Sequence, residues 1–134
     1  MNIFFILLIM LFVHVIDDFH LQGILADMKQ INWWKKEVYK DQRDKFNMYY
    51  NDWIPCIIWH AFQWSCMIII PCIVNNFNIT NKLYFYIVIF INMIIHAIID
   101  HLKCNKYLIN LMTDQLCHVG QIFITWLIIC VIIR

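Results

Sequence analysis

The chain has 134 residues, of which 63% are hydrophobic and 14% charged, with two glycines, two prolines and a formal net charge of +1. Soluble domains carry about 45–50% apolar and about 25% charged residues, and a soluble chain this short would have to hide more apolar area than its volume allows. The same figures exclude disordered, collagen-like and low-complexity chains, and near-neutral charge gives no broad attraction for nucleic acid, which leaves one integral membrane domain over residues 1–134.

A membrane-spanning helix needs about 20 mostly apolar residues. The first predicted helix covers residues 2–27, mostly apolar in its first half and carrying His14, Asp17, Asp18, His20 and Gln22 in its second. No basic segment precedes it, and Asp17 and Asp18 stand where a small-residue cleavage site would fall, so it reads as a retained helix and not a signal peptide. Residues 29–52 form the one substantial polar segment, with mixed charge and with Trp33, Trp34, Tyr49, Tyr50 and Trp53 bracketing it as headgroup-level anchors. Part of that segment is expected to be an amphipathic helix lying on the cytoplasmic membrane surface. The second helix is predicted over residues 53–74, with His60 and Gln63 inside and Pro71 near its end. The third covers residues 82–101 and ends in His96, Asp100 and His101, and the fourth covers residues 107–133 with Asp114, Gln115, His118 and Gln121. The loop between the last two is short, so they form an antiparallel hairpin.

The fold expected is an all-α membrane bundle of four transmembrane helices. Eight of the ten Lys and Arg residues fall in the first and third loops and two on the other side. The positive-inside bias therefore makes those two loops cytoplasmic and puts both termini outside. The six cysteines show no CxxC spacing, and five of them lie in apolar runs, so they read as buried packing residues and not as a disulfide framework.

Ionisable groups inside a bilayer cost about 2.5–3.5 kcal/mol each on insertion scales, and here they recur at helical spacing. His14 precedes Asp18 by four residues, His96 precedes Asp100 by four, and Asp114 precedes His118 by four, while His60 has no carboxylate of its own. Residues four apart share a helix face about 6 Å apart, so each pair can present an imidazole and a carboxylate inward. Counted from the helix ends at about 1.5 Å per residue, all four helices place these groups in one overlapping slab of the cytoplasmic half.

Imidazole and carboxylate are the ligand types of first-row divalent metals, with zinc the leading candidate and manganese and iron as alternatives. The candidate ligands are His14, Asp18, His60, His96, Asp100, Asp114 and His118, enough for one or two ions. Asp18 is the candidate catalytic base. Gln22 and Gln115 are candidates for fixing ligands or substrate by hydrogen bonds, and Lys103, near Asp100 at the cytoplasmic mouth, for holding a phosphate or carboxylate. Asp17, His20 and His101 fall off the matched spacing and read as solvated or interfacial. Asn92 and Gln121 read as interhelical hydrogen-bonding groups.

His14-Val-Ile-Asp-Asp18-Phe19-His-Leu21-Gln22, His60-Ala61, the His96…Asp100…Lys103 element and Asp114-Gln115-Leu-Cys-His118 resemble, in order, the motifs of a family of small bacterial and phage membrane proteins known as a domain of unknown function. The resemblance implies a polytopic membrane protein and brings no established substrate. A looser likeness, in hydropathy and intramembrane His/Asp content, links the chain to membrane-bound metal-dependent hydrolases. The extra groups Asp17 and His20 depart from the motif and leave open which carboxylate of the Asp17-Asp18 pair faces the bundle.

These readings give a metal-dependent membrane hydrolase acting on a lipid or amphiphilic phosphate ester as the leading expectation. The alternatives are an oligomeric ion channel or proton/metal transporter built on the same groups, and a membrane effector or assembly factor with a structural polar network. The expected partners are the lipid bilayer and other copies of the chain, and not nucleic acid.

Overall fold

The computed structural model describes residues 2–38, 49–75 and 82–132, and among these every regular element is helical. Helix α1 (Ile3–Ile16) begins at Asn2, whose side-chain oxygen accepts the Phe4 N–H at 3.0 Å. Its run of fourteen residues contains no Gly or Pro. Where lipid offers no hydrogen bonds to the backbone, the helix, which satisfies its own N–H and C=O groups, is the form left to such a run.

At Asp17 the turns widen, and Asp17–Leu21 is π-helical. Neighbours on an α-helix stand about 100° apart, and the wider i→i+5 turn narrows that angle, so two consecutive carboxylates can both be turned inward. The single helix predicted over residues 2–27 does not continue. Gly23 adopts φ +51°, a left-handed conformation that costs glycine little because it has no Cβ. The chain leaves the α1 axis there and folds under the bundle through short α2 (Leu25–Met28), α3 (Ile31–Trp33) and a π turn, Trp34–Val38. Trp34 is buried in that fold and is not a headgroup anchor, since its N–H donates to the Met28 carbonyl at 2.6 Å. Residues 39–48 of the expected amphipathic segment lie outside the described residues.

Helix α4 (Trp53–Val74) has the predicted bounds. Pro55 sits in its first turn, where no intrahelical N–H bond is lost, and Pro71 near its end. Helix α5 (Lys82–Cys104) runs three residues past its predicted end. Its last turn is wrapped by main-chain bonds from Asn105 and Lys106 to the His101 carbonyl and from Leu108 to the Leu102 carbonyl. Tyr107 then takes φ +55°, which rules out a helix start at that residue, and α6 (Leu111–Leu127) begins instead at Asn110, whose side chain accepts the Thr113 N–H at 2.9 Å. A π-helical stretch, Ile128–Ile132, continues α6.

The helices form a ring. α4 packs against α5 and α1, and α6 closes the ring against α5 and α1. In the half that holds the start of α1 and the end of α6, the core is apolar, built on Ile6, Met10, Trp64, Ile68, Ile122 and Trp126. In the half nearest Lys29 the interior is polar. The outer faces are the reverse: Phe4, Leu8 and Phe12 on α1, Trp59 and Phe62 on α4, Tyr86 and Phe90 on α5, and Leu116 and Phe123 on α6 are all exposed. A bundle with charge inside and large apolar side chains outside is suited to lipid and not to water. Three helices, Ile3–Leu21, Trp53–Val74 and Leu83–Cys104, are long and apolar enough to cross a membrane.

Candidate metal centre between the helices

The seven candidate ligands come from four helices and meet in one cluster. His14, His60, His96, Asp100, Asp114 and His118 are all buried, and the Asp18 side chain is 6% exposed. The three expected pairs on single helices form, with His14–Asp18 at 3.7 Å, His96–Asp100 at 3.8 Å and His118–Asp114 at 3.4 Å. The contacts between helices are just as close. His60 Nε2 lies 3.5 Å from Asp18 Oδ1, 3.6 Å from Asp100 Oδ2 and 3.1 Å from His96 Nε2. His118 Nε2 lies 3.7 Å from Asp100 Oδ1. His60, which has no carboxylate on its own helix, thus finds two from others.

Two overlapping triads could hold a metal ion: Asp18, His60 and His96, and His96, Asp100 and His118. In a tetrahedral zinc shell with bonds of about 2.1 Å, neighbouring ligand atoms stand about 3.4 Å apart. The separations of His60 from His96, Asp18 and Asp100, and of His96 from Asp100, run from 3.1 to 3.8 Å and bracket that spacing. Several polar atoms here have no hydrogen-bond partner among the described residues: Nδ1 of His60 and His96, both ring nitrogens of His118 and Oδ1 of Asp114. A buried polar atom left so costs about 1–3 kcal/mol.

Other side chains orient the cluster. Lys29 Nζ donates to Asp100 Oδ2 at 2.6 Å, and Lys103 Nζ to Asp114 Oδ2 at 2.5 Å. Gln22 donates to Asp18 Oδ1 at 3.1 Å, and Gln115 bridges Asp18 Oδ2 and Asp114 Oδ2 at 3.2 and 3.1 Å. Trp64 donates its N–H to His14 Nδ1 at 2.9 Å and stacks on His96 with ring centroids 4.3 Å apart. That bond uses the lone pair of His14 Nδ1, and His14 belongs to neither triad.

Four carboxylates, Asp17, Asp18, Asp100 and Asp114, gather here with two lysines, Lys29 and Lys103, and four histidines. Buried charges are expensive unless paired or bound to a metal, so carboxylates with imidazoles between them are a donor set that fits a divalent ion.

Several placements differ from the sequence reading. Lys103 was expected beside Asp100; it pairs with Asp114, and Lys29, read as a loop charge, takes Asp100 because the turn at Gly23 brings it under the bundle. Asp17, read as solvated or interfacial, is fully buried and accepts from Gln63 at 2.9 Å. Both members of the Asp17-Asp18 pair therefore face inward. His20 is exposed, and His101 stacks on Trp53 with centroids 4.9 Å apart. Cys117 is exposed and belongs to neither triad. Trp64 was not singled out in the sequence, although it follows His60 by four residues and so shares its face.

No family model, curated protein or solved structure matches the chain.

Proposed function

We propose that this chain is a four-span membrane protein that holds one divalent metal ion, zinc first, between its helices and hydrolyses a lipid or amphiphilic phosphate ester. The observation that carries the proposal is that His60 and His96 stand at zinc-shell spacing from each other and from Asp100, with Asp18 as near to His60, inside two overlapping buried triads. One ion is favoured over two because the triads share His96, and the Nε2 that faces both His60 and Asp100 has a single lone pair. α6 and its π-helical continuation extend about 30 Å, enough for a fourth crossing, and their outer face is apolar. The Lys/Arg bias puts the Lys29 end in the cytoplasm and both termini outside.

In the reaction, the oxygen of water bonds to phosphorus, the ester P–O bond breaks, and the departing alkoxide takes a proton. A divalent ion supplies Lewis acidity and makes water a nucleophile near neutral pH. Asp18 is the candidate to accept the proton of water, since it touches both the cluster and a cavity open beside it. Lys29 and Lys103 hold Asp100 and Asp114 in place. Trp64 and the apolar core above it close the other half. That core supports hydrolysis over ion passage, because among the described residues its polar groups, Asn92, Gln121 and Thr125, are uncharged and bonded to one another.

Elemental analysis of protein purified without chelators tests this. About one zinc per chain is expected in the wild type, with His96→Ala reducing it to background. A wild type free of zinc, manganese and iron sinks the proposal. Reconstituted liposomes should remain ion-tight; a leak lost in His96→Ala would favour the channel.

A further inference from the structure

A cavity of about 190 Å³ lies at the Lys29 end of the bundle, and Asp18, a member of the first triad, forms part of its wall. The remaining polar wall is made of Gln22, Lys29, Gln30, Lys103 and Gln115. An ammonium group carries three N–H donors. Lys29 gives one to Asp100 and Lys103 gives one to Asp114, so each has donors to spare among the described residues. Gln30 gives one N–H to the Ala26 carbonyl and has a second. The one carboxylate in the wall, Asp18, already accepts from Gln22 and Gln115. The wall therefore offers several free donors, from different helices, and its only carboxylate is engaged.

We infer that this cavity seats the phosphate group of a phosphate monoester, the substrate class of the hydrolase proposed above, on which the inference rests. Donors arriving from two separate lysines and an amide match a group with three free oxygens better than a carboxylate with two. The volume suits a headgroup, being below the roughly 300–1,000 Å³ of sites that enclose whole drug-sized ligands. Phe19 and Leu111 flank the cavity, and each is more than half exposed on the bundle's outer face, where an apolar tail would stay in lipid. Lys29 and Lys103 bring two ammonium groups to the wall, and the ion of the proposed function would add its charge beside Asp18, so an incoming phosphate would meet positive charge on both sides.

The test uses zinc-loaded protein with two probes, inorganic phosphate in titration calorimetry and phosphatidic acid diluted into phosphatidylcholine nanodiscs. Metal content is measured on the same samples. Both probes should bind the wild type. Lys103→Met should weaken both by about tenfold or more at unchanged metal content. Gln30→Leu, which disturbs no ion pair, should weaken them several-fold and decides the matter if Lys103→Met does not fold. Tighter binding of phosphatidic acid identifies a lipid as the source of the phosphate, and equal binding a water-soluble ester. Binding unchanged in Gln30→Leu and in any folded Lys103→Met, or equal capture of pure phosphatidylcholine, overturns the cavity assignment while the metal reading stands. A wild type without metal overturns the metal reading, and the dependence on Lys103 and Gln30 still decides the cavity.

Discussion

The two halves of the bundle both bury polar side chains but treat them differently. In the half with the apolar core, Asn92, Gln121 and Thr125 bond to one another and to backbone, with Gln121 Nε2 and Thr125 Oγ1 both donating to Asn92 Oδ1 at 2.8 and 3.0 Å. In the half nearest Lys29, four carboxylates, four histidines and Lys29 share one interior, and a partly exposed Lys103 closes its edge. Of the eight buried side-chain atoms without a hydrogen-bond partner among the described residues, seven are in this half and one, Gln121 Oε1, is in the other. Polar groups that serve only to join helices satisfy one another, as the Asn92 group nearly does. Unmet polar atoms concentrated at one level, among clustered carboxylates and imidazoles, mark a place shaped for something else.

The largest effect expected from that contrast is on metal content. His96 belongs to both triads, so His96→Ala should remove the ion altogether, whereas Gln121→Leu in the other half should leave it at wild-type level. Elemental analysis of the two variants compares the halves directly, and equal metal loss in both would erase the distinction between them.

Next comes the Lys29–Asp100 pair, 2.6 Å apart, with the two side chains 6% and 3% exposed. Breaking a buried pair by removing one partner costs about 3–5 kcal/mol, because the remaining charge is stranded. Lys29→Met should destabilise the protein by that order in detergent unfolding, and Asp100→Asn placed in the same background should recover part of the loss. No recovery in the double variant would mean that the two charges do not compensate each other.

The pattern of legibility follows the same division. The spacing of His14, Asp18, His96, Asp100, Asp114 and His118 could be read because four residues on a helix is a local rule. The bounds of α4 could be read because polar residues bracket an apolar run. Lys29 on Asp100 could not, since 71 residues separate them and the contact depends on the turn at Gly23. Nor could the burial of both Asp17 and Asp18, because nothing in residue spacing announces a π-helical turn. The start of α6 is not legible either, for a backbone reason, the left-handed Tyr107, which apolar content does not reveal.

A smaller effect is expected at Trp64. Trp64→Phe keeps an aromatic ring against His96 but removes the N–H that holds His14 Nδ1, a loss of about 1 kcal/mol in stability. Metal content should not change, because His14 lies in neither triad. Loss of the ion in Trp64→Phe would instead place His14 among the ligands and enlarge the centre.

The smallest effect belongs to the apolar half. Asn92→Leu removes the oxygen shared by Gln121 and Thr125, yet each donor keeps another acceptor: Gln121 Nε2 also bonds the main-chain carbonyl of residue 92 at 2.8 Å, and Thr125 Oγ1 the Gln121 carbonyl at 2.8 Å. Interhelical hydrogen bonds of this kind are worth about 0.6 kcal/mol on average in membrane bundles. The variant should therefore unfold within about 1 kcal/mol of wild type and hold its metal. A cost as large as that of Lys29→Met would mean that this half, too, contains groups that cannot stand without their partners. The concentration of strongly coupled polar groups around His96 would then no longer distinguish one half of the bundle from the other.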